Sequence, residues 1–180
     1  MIIGSTYENK DIEKRIAITP DITKKYVGLG FDVNLIQNYG THLGFKDLHY
    51  EKSGAKIIAD EKKLLNNADI IIQMGLLDER QLSYIKENQT LIGSFDSYVN
   101  KKQIQRLAEK KINVFSLELL PRITRAQSMD ILSSQANLAG YKAVIESFSF
   151  FEKAIPMMMT AAGTVPAAKV LIVGAGVAGL

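Results

Sequence analysis

Asp69-Ile70-Ile71-Ile72-Gln73-Met74 sets three consecutive isoleucines between an aspartate and the glycine at position 75. A run with no polar alternation suits a strand covered on both faces, as in parallel sheets layered with helices. The flanking stretches agree with that reading. Glu61–Asn67 before it and Asp78–Lys86 after it carry helical patterns, and Thr90–Phe95 reads as the next strand. Asn100–Lys110 reads as a capped helix with Ile104, Leu107 and Ala108 facing inward, and Lys111–Leu117 as a further strand. Towards the N-terminus, Met1–Gly4 and Phe31–Gln37 are strand candidates. Between them Thr19 can cap a helix that begins with Pro20, places Ile22, Tyr26 and Leu29 at helical spacing and stops at Gly30. Gly40 to Gly44 is a loop and Asp47–Lys52 a short helix. Regular alternation of strand and helix predicts an α/β fold, a Rossmann-like, doubly wound and mostly parallel sheet.

The character changes near Ser128. Met129, Leu132, Ala136, Ala139, Ala143 and Ser147 follow three- and four-residue steps through one long helix, and Ser133, Ala136, Asn137 and Gly140 give it a small-residue face open to close packing. A turn-rich connector follows Pro156, and Ala168–Val173 reads as a buried-type strand that runs into glycines. The expected division is an α/β domain over 1–126, a linking helix over 127–153, and the connector with the first strand of a second Rossmann domain over 154–180.

Composition narrows the function. With 47% hydrophobic and 23% charged residues over 180 positions, the chain can bury a core. The net charge of +3 is dispersed, Trp is absent, and no basic-aromatic patch exists to suit nucleic acid. There is no Cys for disulfide or thiolate chemistry. The N-terminus lacks a signal-peptide pattern, and the longest apolar run, Val170 to Leu180, is too short for a bilayer span. A soluble, cytoplasmic chain is the expectation, with no membrane insertion of its own.

Two motifs carry chemistry. In Gly174-Ala175-Gly176-Val177-Ala178-Gly179 the first glycine allows a tight turn and the second a close approach of backbone amides to a pyrophosphate. The third allows close packing of the next helix, whose N-terminus would hold the phosphates. The helix and the acidic residue about 20 positions on, which complete this fingerprint, do not follow within the chain. The second motif, Pro121 to Asp130, brings Arg122, Arg125, Gln127 and Asp130 to the start of a helix, where a carboxylate is favoured. Arg-Asp pairing on a capped helix would use the same residues. Arg15 could hold an anion or simply be solvated. His42 and His49 read as loop hydrogen-bonders, no cluster has metal-ligand spacing, and Met157–Met159 read as core packing.

The stretch from Arg122 to Val144, RITRAQSMDILSSQANLAGYKAV, closely resembles the signature of the NAD(H)-binding alpha subunit of proton-translocating NAD(P) transhydrogenases. Pro156 to Gly179 is similar to the same family, and Glu13 to Pro20 resembles the opening that it shares with alanine dehydrogenases. The resemblance implies an NAD(P)+ transhydrogenase component, of the Si-specific or Re/Si-specific proton-translocating class. Hydride would pass from NADH to NADP+ held on a partner component, coupled to proton translocation through separate membrane segments. It implies nucleotide contacts at Arg122, Ile123 and Thr124, at Gln127, Ser128, Met129 and Asp130, and at Gly174, Gly176, Val177 and Gly179. Arg122, Gln127, Asp130 and Ser133 would position the hydride site without acid or base catalysis. Membrane and NADP(H)-binding components would be partners, a homodimer the assembly, and the inner-membrane surface the location when assembled.

Alanine dehydrogenases carry a substrate Lys after the strand matching Asp69–Met74 and a catalytic His after that matching Thr90–Phe95. Gln73-Met74-Gly75 and Gly93-Ser94-Phe95-Asp96 contain neither. An alanine dehydrogenase-like fragment is therefore the weaker alternative, and a non-catalytic self-associating remnant is a third. Without the remaining half of the dinucleotide domain, the chain alone is expected to be inactive and to bind NADH weakly.

Overall fold

The structure, a computed structural model, describes residues 1–180 and divides into two compact units, Met1–Leu120 and Pro121–Leu180. In the first unit β1 (Ile2–Ser5), β2 (Asp32–Ile36), β3 (Lys56–Ile58), β4 (Ile70–Ile72), β5 (Thr90–Gly93) and β6 (Asn113–Ser116) form one sheet, in the order β3-β2-β1-β4-β5-β6. Every neighbouring pair is parallel, with Ile3 opposite Ile70 and Val33, and Ile71 opposite Leu91. The helices are α1 (Pro20–Gly28), α2 (Asp47–Lys52), α3 (Glu61–Asn67), α4 (Glu79–Tyr84) and α5 (Lys101–Glu109). The strand order reverses direction between β1 and β4, the switch point of a doubly wound sheet.

Local chemistry explains these elements. Thr19 accepts from the Ile22 amide to start α1, Asp60 caps α3, and Asp78 forms a reciprocal capping box with Gln81 on α4. Gly30 ends the first helical segment at φ +90°, a conformation that favours glycine. The isoleucine run behaves as expected, with Ile71 fully buried opposite an equally buried Leu91. Burial of such a side chain is worth about 1.5–3 kcal/mol. Gly4 lets α3 lie close on the sheet, since a Cβ there would meet the Cβ of Ala68 at 2.8 Å.

Some expectations fail for local reasons. Leu29 is the C-cap of α1 and 73% exposed, while Thr23 is the residue of α1 that is fully buried, its hydroxyl donating to the Thr19 carbonyl. Ala108 lies on the outer side of α5, whose inward face rests on Leu107 and Ile104. Asn100 precedes α5 without capping it, because its side chain donates instead to the Phe95 carbonyl. The edge strand β3 was not expected from the sequence; its brief Ile57-Ile58 signal is too short to stand out.

In the second unit a 3-10 segment, Thr124–Met129, precedes α6 (Ile131–Phe150). The long helix is thus shorter than 127–153, because the Asp130 carboxylate caps the Ser133 amide and fixes the start after itself. No residue of α6 is buried. The connector contains β7 (Met158–Thr160) and β8 (Gly163–Val165), paired antiparallel. The hairpin leaves Met157, Met158 and Met159 exposed rather than in a core. Ala168–Val173 forms no strand, since no neighbouring strand supplies a hydrogen-bonding ladder, and Val170 to Val173 are exposed. No helix is long and apolar enough to cross a membrane.

Glu118 ties two loops at the carboxyl edge of the sheet. Its carboxylate accepts from the Phe95 and Ser97 amides and from the Ser97 and Ser116 hydroxyls. Burial alone would raise its pKa, but these donors outweigh that and hold it at about 2. A folded pKa below the unfolded one means stabilisation that is present above the ordinary value near 4.5 and is lost as the pH falls towards 2. Glu118→Gln is expected to cost about 1–2 kcal/mol at neutral pH in urea unfolding. The gap to the parent should close steadily below pH ~4.5; a gap unchanged down to pH ~3 would contradict the charge-assisted clamp.

Candidate functional site

Three features build the site in the second unit. Asp130 Oδ1 accepts from the Ser133 amide at 2.9 Å, and Oδ2 accepts from the Ser133 hydroxyl at 2.6 Å. These two bonds end the 3-10 segment and start α6. Ala126, 5% exposed, anchors that segment, which leaves the polar side chains around it facing solvent. Finally, the glycine turn approaches α6 at Gly140, where a Cβ would collide with the Ala178 carbonyl. Gly140, one of the small residues of the helix, thus serves a close backbone approach.

Together these enclose an open cavity of about 380 Å³ lined by Arg122, Ile123, Thr124, Ala126, Gln127, Asp130, Ser133 and Val177. Ser128, Met129, Gly174, Gly176 and Gly179 do not line it, and Ala126 lines it without having been expected to. Its signal in the sequence is slight, a lone small residue between two polar ones. Gly174 takes φ +110°, as the first glycine of a tight turn requires, and the Gly179 and Leu180 amides donate to the Gly176 carbonyl. A Cβ on Gly176 would meet nothing, so the space beside that turn is open.

The electrostatics are those of a polar anchor. The Ser133 hydroxyl, and then the Ser133 amide, hold the Asp130 carboxyl below the usual range, with a smaller contribution from the charge of Arg122. A carboxylate has about four acceptor positions, so two remain for a ligand after Ser133 is served. Arg122, Gln127 and Thr124 add donors, while Ile123 and Val177 give apolar surface. This set of donors and acceptors beside apolar surface suits a carboxamide or a hydroxyl group carried on a ring. The volume lies near the lower end of small-molecule sites, enough for part of a dinucleotide. No group of three His, Cys, Asp or Glu residues is arranged to hold a metal.

In the first unit the carboxyl edge at the β1–β4 switch point holds another polar cluster. Gln73, 3% exposed, accepts from the Thr6 amide and the Ser5 hydroxyl. Tyr39, 1% exposed, accepts from the Ala17 and Ile18 amides and shares a hydrogen bond with Ser5. Burial pushes the Tyr39 phenol up to about 12 against those bonds, so it stays neutral. Arg15 pairs with Glu13 through Nε and Nη2. His42 and His49 make backbone hydrogen bonds, to the Lys14 carbonyl and from the Lys46 amide. Neither Gln73 nor Ser94 and Phe95, which follow β5, offers a cationic group to polarise a substrate carbonyl.

Comparison with known proteins places this geometry in a family. The chain matches the alanine dehydrogenase/PNT N-terminal domain over residues 4–139 and the corresponding C-terminal domain over 143–180. It is 44% identical over 185 residues to the first of the split alpha-subunit chains of NAD(P) transhydrogenase from Rhodospirillum rubrum, covering all of this chain and 48% of that protein. The crystal structure of transhydrogenase from Sinorhizobium meliloti superposes with a TM-score of 0.91 at 42% identity, over 99% of this chain and 53% of that one. An L-alanine dehydrogenase shares the fold at TM-score 0.74 and 21% identity, over 84% of this chain and 41% of that one. The chain spans about half the length of the transhydrogenase relatives that it matches. A parallel sheet with this switch point, the capped Arg122–Ser133 segment and the glycine turn thus occur together because the chain belongs to the alanine dehydrogenase/PNT family.

Proposed function

We propose that this chain supplies NAD(H)-contacting residues of a proton-translocating transhydrogenase, in which hydride passes from NADH to NADP+ on a partner component. The observation that carries the proposal is the cavity at Arg122–Ser133, where Arg122, Ile123, Thr124, Gln127, Asp130, Ser133 and Val177 converge. In this reading Arg122 and Asp130 hold the polar end of the nicotinamide, and Gln127 reaches towards the second nucleotide. Ser133 keeps the Asp130 carboxylate oriented while it caps α6. The nicotinamide supplies the hydride chemistry when bound. The protein contributes position and the exclusion of water, which suffices for a reaction that needs no acid, base or nucleophile. The names of the relatives, alpha subunits of NAD(P) transhydrogenases, support the same assignment.

Assembly belongs to the same proposal. Leu138, Tyr141, Ile145 and Phe148 form an exposed apolar stripe along α6, at spacings that share one helix face. A homodimer would cover surface of this kind. The NADP(H)-binding and membrane components would complete the enzyme at the inner-membrane surface.

Saturation-transfer NMR on NADH tests the nucleotide reading. The nicotinamide protons should receive saturation from the chain, with a dissociation constant on the order of millimolar. Arg122→Ala or Asp130→Asn should reduce that transfer several-fold, and Asn still caps a helix, so the fold is spared. Equal transfer in parent and variants, or none at all, would reject the assignment. For assembly, light scattering at tens of micromolar should give a dimer, and Ile145→Asp a monomer; a monomeric parent would count against it.

A further inference from the structure

Glycine is disfavoured in a helix interior relative to alanine, because it gives up more backbone freedom on folding. Gly140 nevertheless stands in the middle of α6. Its φ lies outside the left-handed region, so backbone conformation does not call for glycine there. The reason is one of space. A Cβ at this position would stand 2.3 Å from the Ala178 carbonyl oxygen, 3.0 Å from the carbonyl carbon and 3.1 Å from Ala178 Cα. All three are backbone atoms, so no rotation of a side chain relieves the contact. Ser133, Ala136 and Gly140 are half-buried while 134, 135 and 137–139 are exposed, which puts Gly140 on the same helix face as Ser133. The two lie about 10 Å apart along the axis. The cavity therefore has two fixed ends on one helix. At one, Asp130 caps Ser133; at the other, Gly140 receives Ala178, the neighbour of the lining residue Val177.

We propose that Gly140 is a positioning residue for the nucleotide: its missing side chain seats the glycine turn on α6 and so fixes how near Val177 lies to Asp130 and Ser133. The inference rests on the nucleotide reading of the cavity. The turn is lightly tied elsewhere. Gly174 to Ala178 are exposed, and the bonds from the Gly179 and Leu180 amides to the Gly176 carbonyl close the turn on itself, so it moves as a body. A methyl group at position 140 would push the Ala178 carbonyl back by about 1 Å before ordinary contact is restored. A displacement of that size is enough to spoil a site that works by position. Alanine is also the better helix former, so α6 and its cap survive the change. Stability and nucleotide contact thus respond in opposite directions, which a glycine kept only for packing would not produce.

The full chain and its Gly140→Ala variant, both labelled with 15N, test this. Without nucleotide, the Val177 and Ala178 amide resonances should move in the variant while the Ser133 amide keeps its place. With NADH at a fixed millimolar concentration, saturation transfer to the nicotinamide protons should fall at least about fivefold. The Tm should stay level or rise. Adding Ala178→Gly to Gly140→Ala should restore nothing, because the obstructing atoms are backbone. Ala139→Ser, on the exposed side of α6, should leave the transfer unchanged. A parent that receives no transfer would fail the nucleotide reading itself. A binding parent matched by Gly140→Ala would overturn this inference alone, as would rescue by Ala178→Gly or a Tm that falls together with the transfer.

Discussion

One carboxylate decides where order begins in the second unit. Asp130 spends two of its acceptor positions on the amide and hydroxyl of Ser133, which stops the 3-10 segment and starts α6 in the same step. If that cap were absent, an N-cap worth about 0.5–2 kcal/mol would be lost, and the segment from Thr124 would have no fixed end. The side chains that line the cavity hang on this boundary. Arg122, Ile123, Thr124 and Gln127 come from one side of it and Ser133 from the other. The glycine turn meets α6 further along, at Gly140, where any side chain would be displaced by the Ala178 carbonyl. Capping and glycine packing are backbone constraints, so the site is positioned before any ligand contributes.

The first unit uses a different device. Its sheet is wholly parallel, so the point where strand order reverses opens a crevice that loops must fill or a ligand must occupy. Here side chains of the chain itself fill it. Gln73 bridges β4 to the end of β1, Tyr39 joins Ser5 to the approach to α1, and Glu8 takes the two amides that follow β4. Each of these polar groups has a partner, which avoids the penalty of roughly 1–3 kcal/mol for an unpaired one. Arg15, which looked free to hold an anion, lies in a bidentate pair with Glu13.

The legible features of this molecule were those set by local chemistry. The Ile70-Ile71-Ile72 run became a buried central strand, and Thr19, Asp60 and Asp78 mark helix starts with their own side chains. Whatever depends on long-range pairing was harder to read. Ala168–Val173 has the composition of a strand but pairs with nothing, while Met158–Thr160 and Gly163–Val165 look like a connector and form a hairpin. Asp130 was recognised as a helix-start residue, yet its role as the cap rather than a member of the first turn required the Ser133 contact to be seen. Glu8 and Glu118 were invisible in the sequence. Their partners are backbone amides 66 and 23 positions away, and no motif announces such a contact.

The central claim, that the capped Arg122–Ser133 segment and the glycine turn together face the nucleotide, is tested most directly by residue-resolved NMR of the 15N-labelled chain during NADH titration. The account predicts that the amides from Arg122 to Ser133 move together with those from Gly174 to Val177, along one binding curve. Shifts confined to Met1–Leu120, or no shift at NADH concentrations of several millimolar, would contradict it.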